Sequence, residues 1–384
     1  MPERVGPKVK ANPHQSQLSR CGEEDWKRGR NVRTPAALAR GALSVSLMLS
    51  HVVVPDEKHL QRAAIITTES KERYLVKHKI ILDCDPGHDD AIAILLAAHH
   101  PAIDLLAITT VAGNQSVEKT TLNALKVCSL ANIYSVPVAK GMDRPLVRPA
   151  RHAANIHGES GMDGPNVPEP DIEPISQHAV DFMIDLLMSS DGDITLVPTG
   201  PLTNIAAALR REPAIVPKIK AISLMGGAIG LGNTTPVAEF NIWADPEAAA
   251  IVFDCGRPIT MTPLEVTHQA LATDEVLARL RAVDRAVANF AADLLVFFGD
   301  TYRNVYGFPA PPVHDPCAVA AVVDPSLFHA HTVRVEIETM GEWTTGRTVC
   351  DIYGTLGKEP NARVGYALDV PRFWELVIAA LLSY

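Results

Sequence analysis

Asp83-Cys-Asp-Pro-Gly-His-Asp-Asp90 places four aspartates within eight positions, directly after the apolar run Lys79-Ile-Ile-Leu82. Carboxylates at that density repel one another unless something positive holds them. The apolar run reads as a strand, Pro86 and Gly87 as the turn that follows, and Asp89 and Asp90 as the first turn of a helix. There the free amides and the helix dipole favour negative charge, but they do not neutralise three carboxylates. A divalent cation does, and an all-oxygen set without cysteine selects calcium or magnesium over zinc. Adjacent helical residues project about 100° apart, so Asp89 and Asp90 are not expected to serve the ion together, which leaves one for a substrate. A lone aspartate would read as a helix cap. The cluster reads as a site.

Other residues of matching chemistry stand at the ends of later apolar runs. Gly113-Asn114, Thr199-Gly200 and Met225-Gly-Gly227 each follow one. Any one of these is an ordinary turn, but several at one sheet edge make a pocket. In Gly232-Asn-Thr-Thr-Pro-Val-Ala-Glu-Phe-Asn241, Asn233 falls in a loop and Glu239 to Asn241 reads as extended chain. Residues two apart then share a face, so Glu239 and Asn241 point together while Phe240 points away. Such a pair suits vicinal hydroxyls, each of which donates and accepts. His314-Asp315 opens an apolar helix. If Asp315 completes the metal shell, His314 projects beside it, where a group titrating near neutrality serves as a general acid.

The elements that must position these residues alternate. Short apolar runs such as "KIILDC", "IDLLAITTVAG", "DITLVPTG", "IKAISLMGG" and "RPITMTPLEV" are separated by helical segments such as "HDDAIAILLAAHH", "SVEKTTLNALKVCSLA", "PLTNIAAALRR" and "DPEAAAIVFDCG". This predicts an α/β fold: a single large domain from residue 79 to 384, its mostly parallel, Rossmann-like open sheet covered by helices on both faces. Ligands of such sheets bind at the carboxyl ends of the strands.

Composition bounds the partners. The chain has 384 residues, is 47% hydrophobic and carries a formal charge of -9. With no basic stripe interleaved with aromatics, nucleic acid is excluded as a partner. The six cysteines are scattered without metal spacing, which predicts buried free thiols in a reducing, cytoplasmic setting. Residues 1–78 are Arg-rich and irregular, and three readings compete for them: a targeting segment, a disordered tail, or sequence upstream of the true start, the last two favoured because acidic residues interrupt the composition of a transit peptide. Within them Gly41 to Val54 is apolar but too short for a membrane span.

The blocks "DCDPGHDDAIAILLA", "TTVAGNQSVEKTTLNA", "IHGESGMDGP", "TLVPTGPLTNIA", "LMGGAIGLGNTTPVAEFNIWADPEAA", "LEVTHQALAT" and "VHDPCAVA" resemble, in order, those of the inosine-uridine-preferring nucleoside hydrolases. The resemblance runs from about Lys79 to the C-terminus. It implies calcium-dependent hydrolysis of the N-glycosidic bond of purine or pyrimidine ribonucleosides, giving ribose and free base for salvage. It implies Asp85, Asp90, the Thr199 carbonyl and Asp315 as calcium ligands, with Asp85 also positioning or deprotonating the attacking water. Asp89, Asn114, Met225, Asn233, Glu239 and Asn241 would hold the ribose, with Phe240 counted among the substrate-binding residues. His314 would stand beside the leaving base as the acid, and His157 on the same side. The family has a mobile region over Asp300 to Pro312, where Tyr302 and Tyr306 both offer aromatic contacts and the sequence does not choose between them. Purine or pyrimidine preference stays open, and the resemblance implies a homodimer or homotetramer. Two other readings of the aspartate cluster are a metal-dependent phosphohydrolase, which wants a lysine at a later strand end, and a non-catalytic nucleoside- or ribose-binding protein.

Overall fold

The computed structural model describes residues 77–384, so the expectations for residues 1–76, including Gly41 to Val54, lie outside the described residues. The first strand, β1, spans His78–Cys84. Helix α1 (His88–His99), β2 (Ile103–Thr110), α2 (Val117–Leu130) and β3 (Val138–Lys140) complete one half of the sheet. After α3 (Ala154–His157) and α4 (Ala179–Ser189), the chain returns through β4 (Ile194–Pro198), α5 (Thr203–Arg211), β5 (Ile219–Met225), α6 (Phe240–Ala244), α7 (Pro246–Phe253) and β6 (Ile259–Thr262). It continues through α8 (Leu264–Thr267), α9 (Asp274–Arg281), α10 (Ala286–Tyr306) and α11 (Pro316–Val323), and closes with β7 (Phe328–Ile337), β8 (Thr348–Asp351), β9 (Ala362–Leu368) and α12 (Val370–Leu382).

The strands form one nine-stranded sheet in the order β3-β2-β1-β4-β5-β6-β9-β7-β8. All pairings are parallel except β7 with β9 and with β8. Alternate residues of β1 enter opposite cores, Ile80 and Leu82 on one face and Ile81 on the other, so both faces are covered. Helix α1 is buried along His88 to Ala97, as expected of a helix apolar all round, and packs among α2, α10, α11 and α12. That enclosure fixes its N-terminus against the end of β1. Chain order reverses between β1 and β4, whose carboxyl ends carry Asp83 to Asp85 and Thr199. A doubly wound sheet opens its ligand crevice at such a switch point. Among the described residues, no helix is long and apolar enough to cross a membrane, and Cys84, Cys128, Cys255, Cys317 and Cys350 are free thiols.

Candidate active site

At that switch point lies a cavity of about 360 Å³, lined among others by Asp89, Asn114, His157, Thr199, Met225, Asn233, Glu239, Phe240, Asn241, His314 and Asp315. Asp89 and Asp315 line one side of it, whereas Asp85 and Asp90 are buried and do not line it. Asp85 is 1% exposed. Its Oδ2 accepts from the Asn114 amide at 2.7 Å, while Oδ1 is buried without a partner. The side chain is held between two glycines, since a Cβ on Gly113 would fall 2.0 Å from Asp85 Oδ2 and one on Gly200 2.6 Å from Oδ1. Asp90 accepts from the Gly87 amide at 3.0 Å, the Asn114 side-chain amide at 3.2 Å and the Thr199 hydroxyl at 2.9 Å. Asp89 accepts from the His314 amide at 3.1 Å, across 225 residues.

Asp89, Asp90 and Asp315 each bring a carboxylate oxygen within 4.8 Å of the others. The two adjacent aspartates, although they follow one another at the start of a helix, thus both reach the same point as Asp315. Asp90 folds back to cap its own helix, and the start of α11 docks across the first turn, so Asp315 meets both. Asp315 occupies the N-cap position of α11 yet caps nothing. Its carboxylate belongs to the cluster.

The energetics point to a missing positive charge. Burial, then the charge of Asp90, holds Asp85 well above the usual carboxylate range, and the same causes raise Asp89 to about 7. Burial and then Asp89, Asp90 and Asp85 raise Asp315 well above its ordinary value. Among the described residues no ion pair involves any of the four. Four buried carboxylates with one unpartnered oxygen and only neutral donors around them fit a hard divalent cation. Asp83 points elsewhere. Its Oδ1 accepts from Thr109 at 2.6 Å and Asn204 at 2.7 Å, which ties β1 to β2 and α5 beneath the site.

A stability prediction follows, with its sign. In metal-free protein the folded state keeps Asp89 protonated up to about 7, against an ordinary 3.8, and Asp83 up to about 6. Raised folded pKa values contribute stability that is present below the ordinary carboxylate range and lost as pH rises through about 6 to 7. The thermal midpoint in chelator is therefore expected to fall between about pH 5 and pH 7.5, and added calcium to weaken that dependence. A midpoint that climbs over the interval in chelator would contradict the assignment.

The wall opposite the cluster corrects an expectation. Glu239 to Asn241 is not extended: Glu239 caps α6, its carboxylate accepting from the amides of Asn241 at 2.8 Å, Ile242 at 3.2 Å and Gly227 at 2.8 Å. A buried carboxylate with three amides in reach starts a helix. Asn241 donates to the carbonyls of Thr199 at 2.7 Å and Met225 at 3.2 Å, which stitches α6 to two strand ends. Phe240, expected to point away, lines the cavity with its neighbours. Asn233 Oδ1 accepts from the Phe240 amide at 3.0 Å, which ties the loop to the start of α6. Burial raises Glu239 to about 7.

The third wall is aromatic. His314 is buried, with Nδ1 2.7 Å from the Thr267 hydroxyl and Nε2 2.7 Å from the Tyr302 hydroxyl. Burial, and secondarily His268, holds it well below its ordinary value, and burial raises Tyr302 well above its own. The structure thus separates the two tyrosines of α10. Tyr302 is 4% exposed and joined to His314, whereas Tyr306 is 38% exposed and donates to the Asn233 carbonyl at 3.3 Å. His157 lines the same side. Sequence reasoning missed Phe298, Arg151, Asn155 and Trp243, which also line the cavity. Arg151 lies over the Trp243 ring, 4.6 Å from its centroid, and both come from stretches without a strand-end signal.

Comparison with known proteins agrees with this geometry. The sequence profile described as inosine-uridine preferring nucleoside hydrolase matches residues 80–375. The pyrimidine-specific ribonucleoside hydrolase RihB of Escherichia coli K12 is 50% identical over 308 residues, covering 80% of this chain and 98% of its own length. Among solved structures, a purine-preferring ribonucleoside hydrolase from Gardnerella vaginalis superposes with a TM-score of 0.75 at 35% identity, covering 79% of this chain and 98% of that one. A plant nucleoside hydrolase superposes with a TM-score of 0.77 at 33% identity, covering 80% and 100%. Matched in profile, in near full-length identity and in fold, the chain belongs to the inosine-uridine preferring nucleoside hydrolase family and is a hydrolase of N-glycosyl bonds.

Proposed function

We propose that the chain hydrolyses the N-glycosidic bond of ribonucleosides with a bound calcium ion, pyrimidine ribonucleosides being preferred, and that it supplies free base and ribose for salvage. The observation that carries this reading is the unpartnered, buried Oδ1 of Asp85 beside the converging oxygens of Asp89, Asp90 and Asp315. Asp85, Asp90, Asp315 and the Thr199 carbonyl, which keeps a second lone pair beyond its bond to Asn241, would hold the ion. When bound, calcium keeps the carboxylates ionised, anchors the sugar diol and makes a nearby water more acidic.

The chain's own groups do the rest. Asp85 Oδ1 accepts the proton of the attacking water. Asp89, Asn114, Asn241 and Glu239 bind ribose hydroxyls, with Met225 and Phe240 packing on the ring and Asn233 at the far end. Bond cleavage passes through an oxocarbenium-like state, so the carboxylates beneath the sugar stabilise it more than the neutral ground state. The departing base takes a proton from the Tyr302 hydroxyl, whose oxygen the neutral His314 ring supports from 2.7 Å; the proton that Asp85 accepts from the attacking water balances it, and returns to Tyr302 through solvent after product release. Pyrimidine preference is supported by the 50% identity to a relative described as pyrimidine-specific, against 35% to one described as purine-preferring.

Base release should be measured from uridine, cytidine, inosine, adenosine and guanosine, with 2'-deoxyuridine and a chelated sample alongside. Uridine and cytidine are expected to turn over at least tenfold faster than inosine, the deoxy compound weakly, and the chelated enzyme not at all. Inosine as the fastest substrate would overturn the preference. No release from any of them would overturn the whole reading.

A further inference from the structure

His88 lies inside the aspartate motif but outside the cavity lining. It is fully buried, stacked between Phe297 at 5.2 Å and Phe298 at 5.0 Å with interplanar angles of 8° and 7°. Its Nε2 is 2.7 Å from the carbonyl oxygen of Asp163. A carbonyl only accepts, so that nitrogen carries the proton. Its Nδ1 is 3.2 Å from Nδ1 of His157, and of two ring nitrogens at that distance one donates and the other accepts. A neutral imidazole suits an apolar sandwich of two phenyl rings, so His88 Nδ1 holds a lone pair and His157 Nδ1 is the donor.

The proton on His157 is thereby assigned. Its Nδ1 is protonated, and its Nε2, which has no hydrogen-bond partner among the described residues, holds a lone pair where the residue lines the cavity. We propose that His88 is a positioning residue which, anchored on the Asp163 carbonyl, fixes His157 as a hydrogen-bond acceptor for a hydroxyl or N–H donor of the nucleoside. The proposal rests on the nucleoside reading above for the identity of that donor.

Two features of the fold support it. The Asp163 carbonyl is held in place, because the Asp163 carboxylate accepts from the amides of Glu159 at 3.0 Å and Ser160 at 3.1 Å. The His157 ring is pressed against residue 87, where a Cβ would lie 2.4 Å from its Nδ1 and 2.7 Å from its Cε1. Only glycine leaves room for the ring to reach His88. One consequence bears on the reaction. His157 has no proton to give on its cavity side, so the acid for the leaving base is the Tyr302–His314 pair.

The test is the histidine proton map of the full chain, labelled with nitrogen-15 at histidine and read by long-range proton–nitrogen correlation, with His157 assigned by its loss in His157→Gln. The expected result is His157 protonated at Nδ1 and bare at Nε2, with His88 the reverse. A wild-type His157 protonated at Nε2 overturns the proposal, whether or not the protein releases base, so this failure is distinct from failure of the nucleoside reading. His88→Phe should move the His157 proton to Nε2 and lower kcat/KM for uridine about tenfold, chiefly through KM. His157→Gln presents an amide oxygen without help, so adding His88→Phe to it should cost less than twofold. Equal losses in both backgrounds would reduce His88 to a packing role. If His88→Phe does not fold, the wild-type spectrum alone decides.

Discussion

Asp85→Ala is expected to lower uridine turnover by on the order of 10⁴-fold or more while making the metal-free protein more heat-stable. The first effect follows from two losses at one residue. The substitution removes the proton acceptor for water, and it removes one oxygen donor from the set of three carboxylates and one carbonyl proposed to hold the cation. The second follows from repulsion. In chelator, Asp85 is a buried carboxylate wedged between Gly113 and Gly200, with one oxygen unsatisfied and like charges around it. Deleting it relieves that cost. Calcium should raise the thermal midpoint of wild type by several degrees and that of the variant by much less. Unchanged kcat, or a variant less stable than wild type in chelator, would remove Asp85 from the centre of the site. Asp83→Ala is the control, since Asp83 is equally buried and also keeps one oxygen without a partner, but its Oδ1 is tied to Thr109 and Asn204 outside the cluster, so its loss should leave calcium's effect on the midpoint intact.

His314→Ala should separate substrates by leaving group. With uridine, whose departing base must gain a proton, the expected loss is about 10²- to 10³-fold in kcat. With p-nitrophenyl riboside, whose leaving group departs as a stable anion, it should be less than about tenfold. The structure sharpens this expectation. His314 is held at both ring nitrogens, by Thr267 and Tyr302, so it reaches the base through the tyrosine hydroxyl. Tyr302→Phe should therefore reproduce the substrate split, whereas Tyr306→Phe, on the exposed side of the helix, should not. Equal losses of His314→Ala on both substrates would mean that the His314 side chain, through Thr267 and Tyr302, only holds the wall of the cavity in place and transfers no proton.

Much of this site was legible before any coordinates because its densest part is local. Asp85 to Asp90 span one strand end, one turn and one helical turn, and the geometry of such a unit follows from residue type alone. The helix could be seen to start after Gly87 because the glycine and proline punctuate the chain there, and the alternation of apolar runs implied a parallel sheet with its pocket at the strand ends. Where the reading failed, a single distant partner was responsible. Glu239-Phe-Asn241 has no helical signature, and it folds as a helix because the Glu239 carboxylate collects three amides, one of them from Gly227 on another strand end. His88 could be read only as a motif letter, since its partners are Asp163 and His157, each about seventy residues away.

By itself, then, the sequence determined the chemistry of the site: an oxygen-only carboxylate cluster at a strand end, sugar-type hydrogen-bonding residues near it, a histidine beside the last aspartate, and the order of elements that builds a doubly wound sheet. The tertiary structure decided how those groups share the work. Docking of α11 across the first turn of α1 brought Asp89, Asp90 and Asp315 to one point and chose Tyr302 over Tyr306 as the partner of His314. The physical reason is range. Strand, turn and helix preferences act over a few residues, whereas a carboxylate's charge state, a tyrosine's partner and an imidazole's tautomer are set by whatever chain is packed within about 3 to 5 Å, and only the folded protein decides what that is.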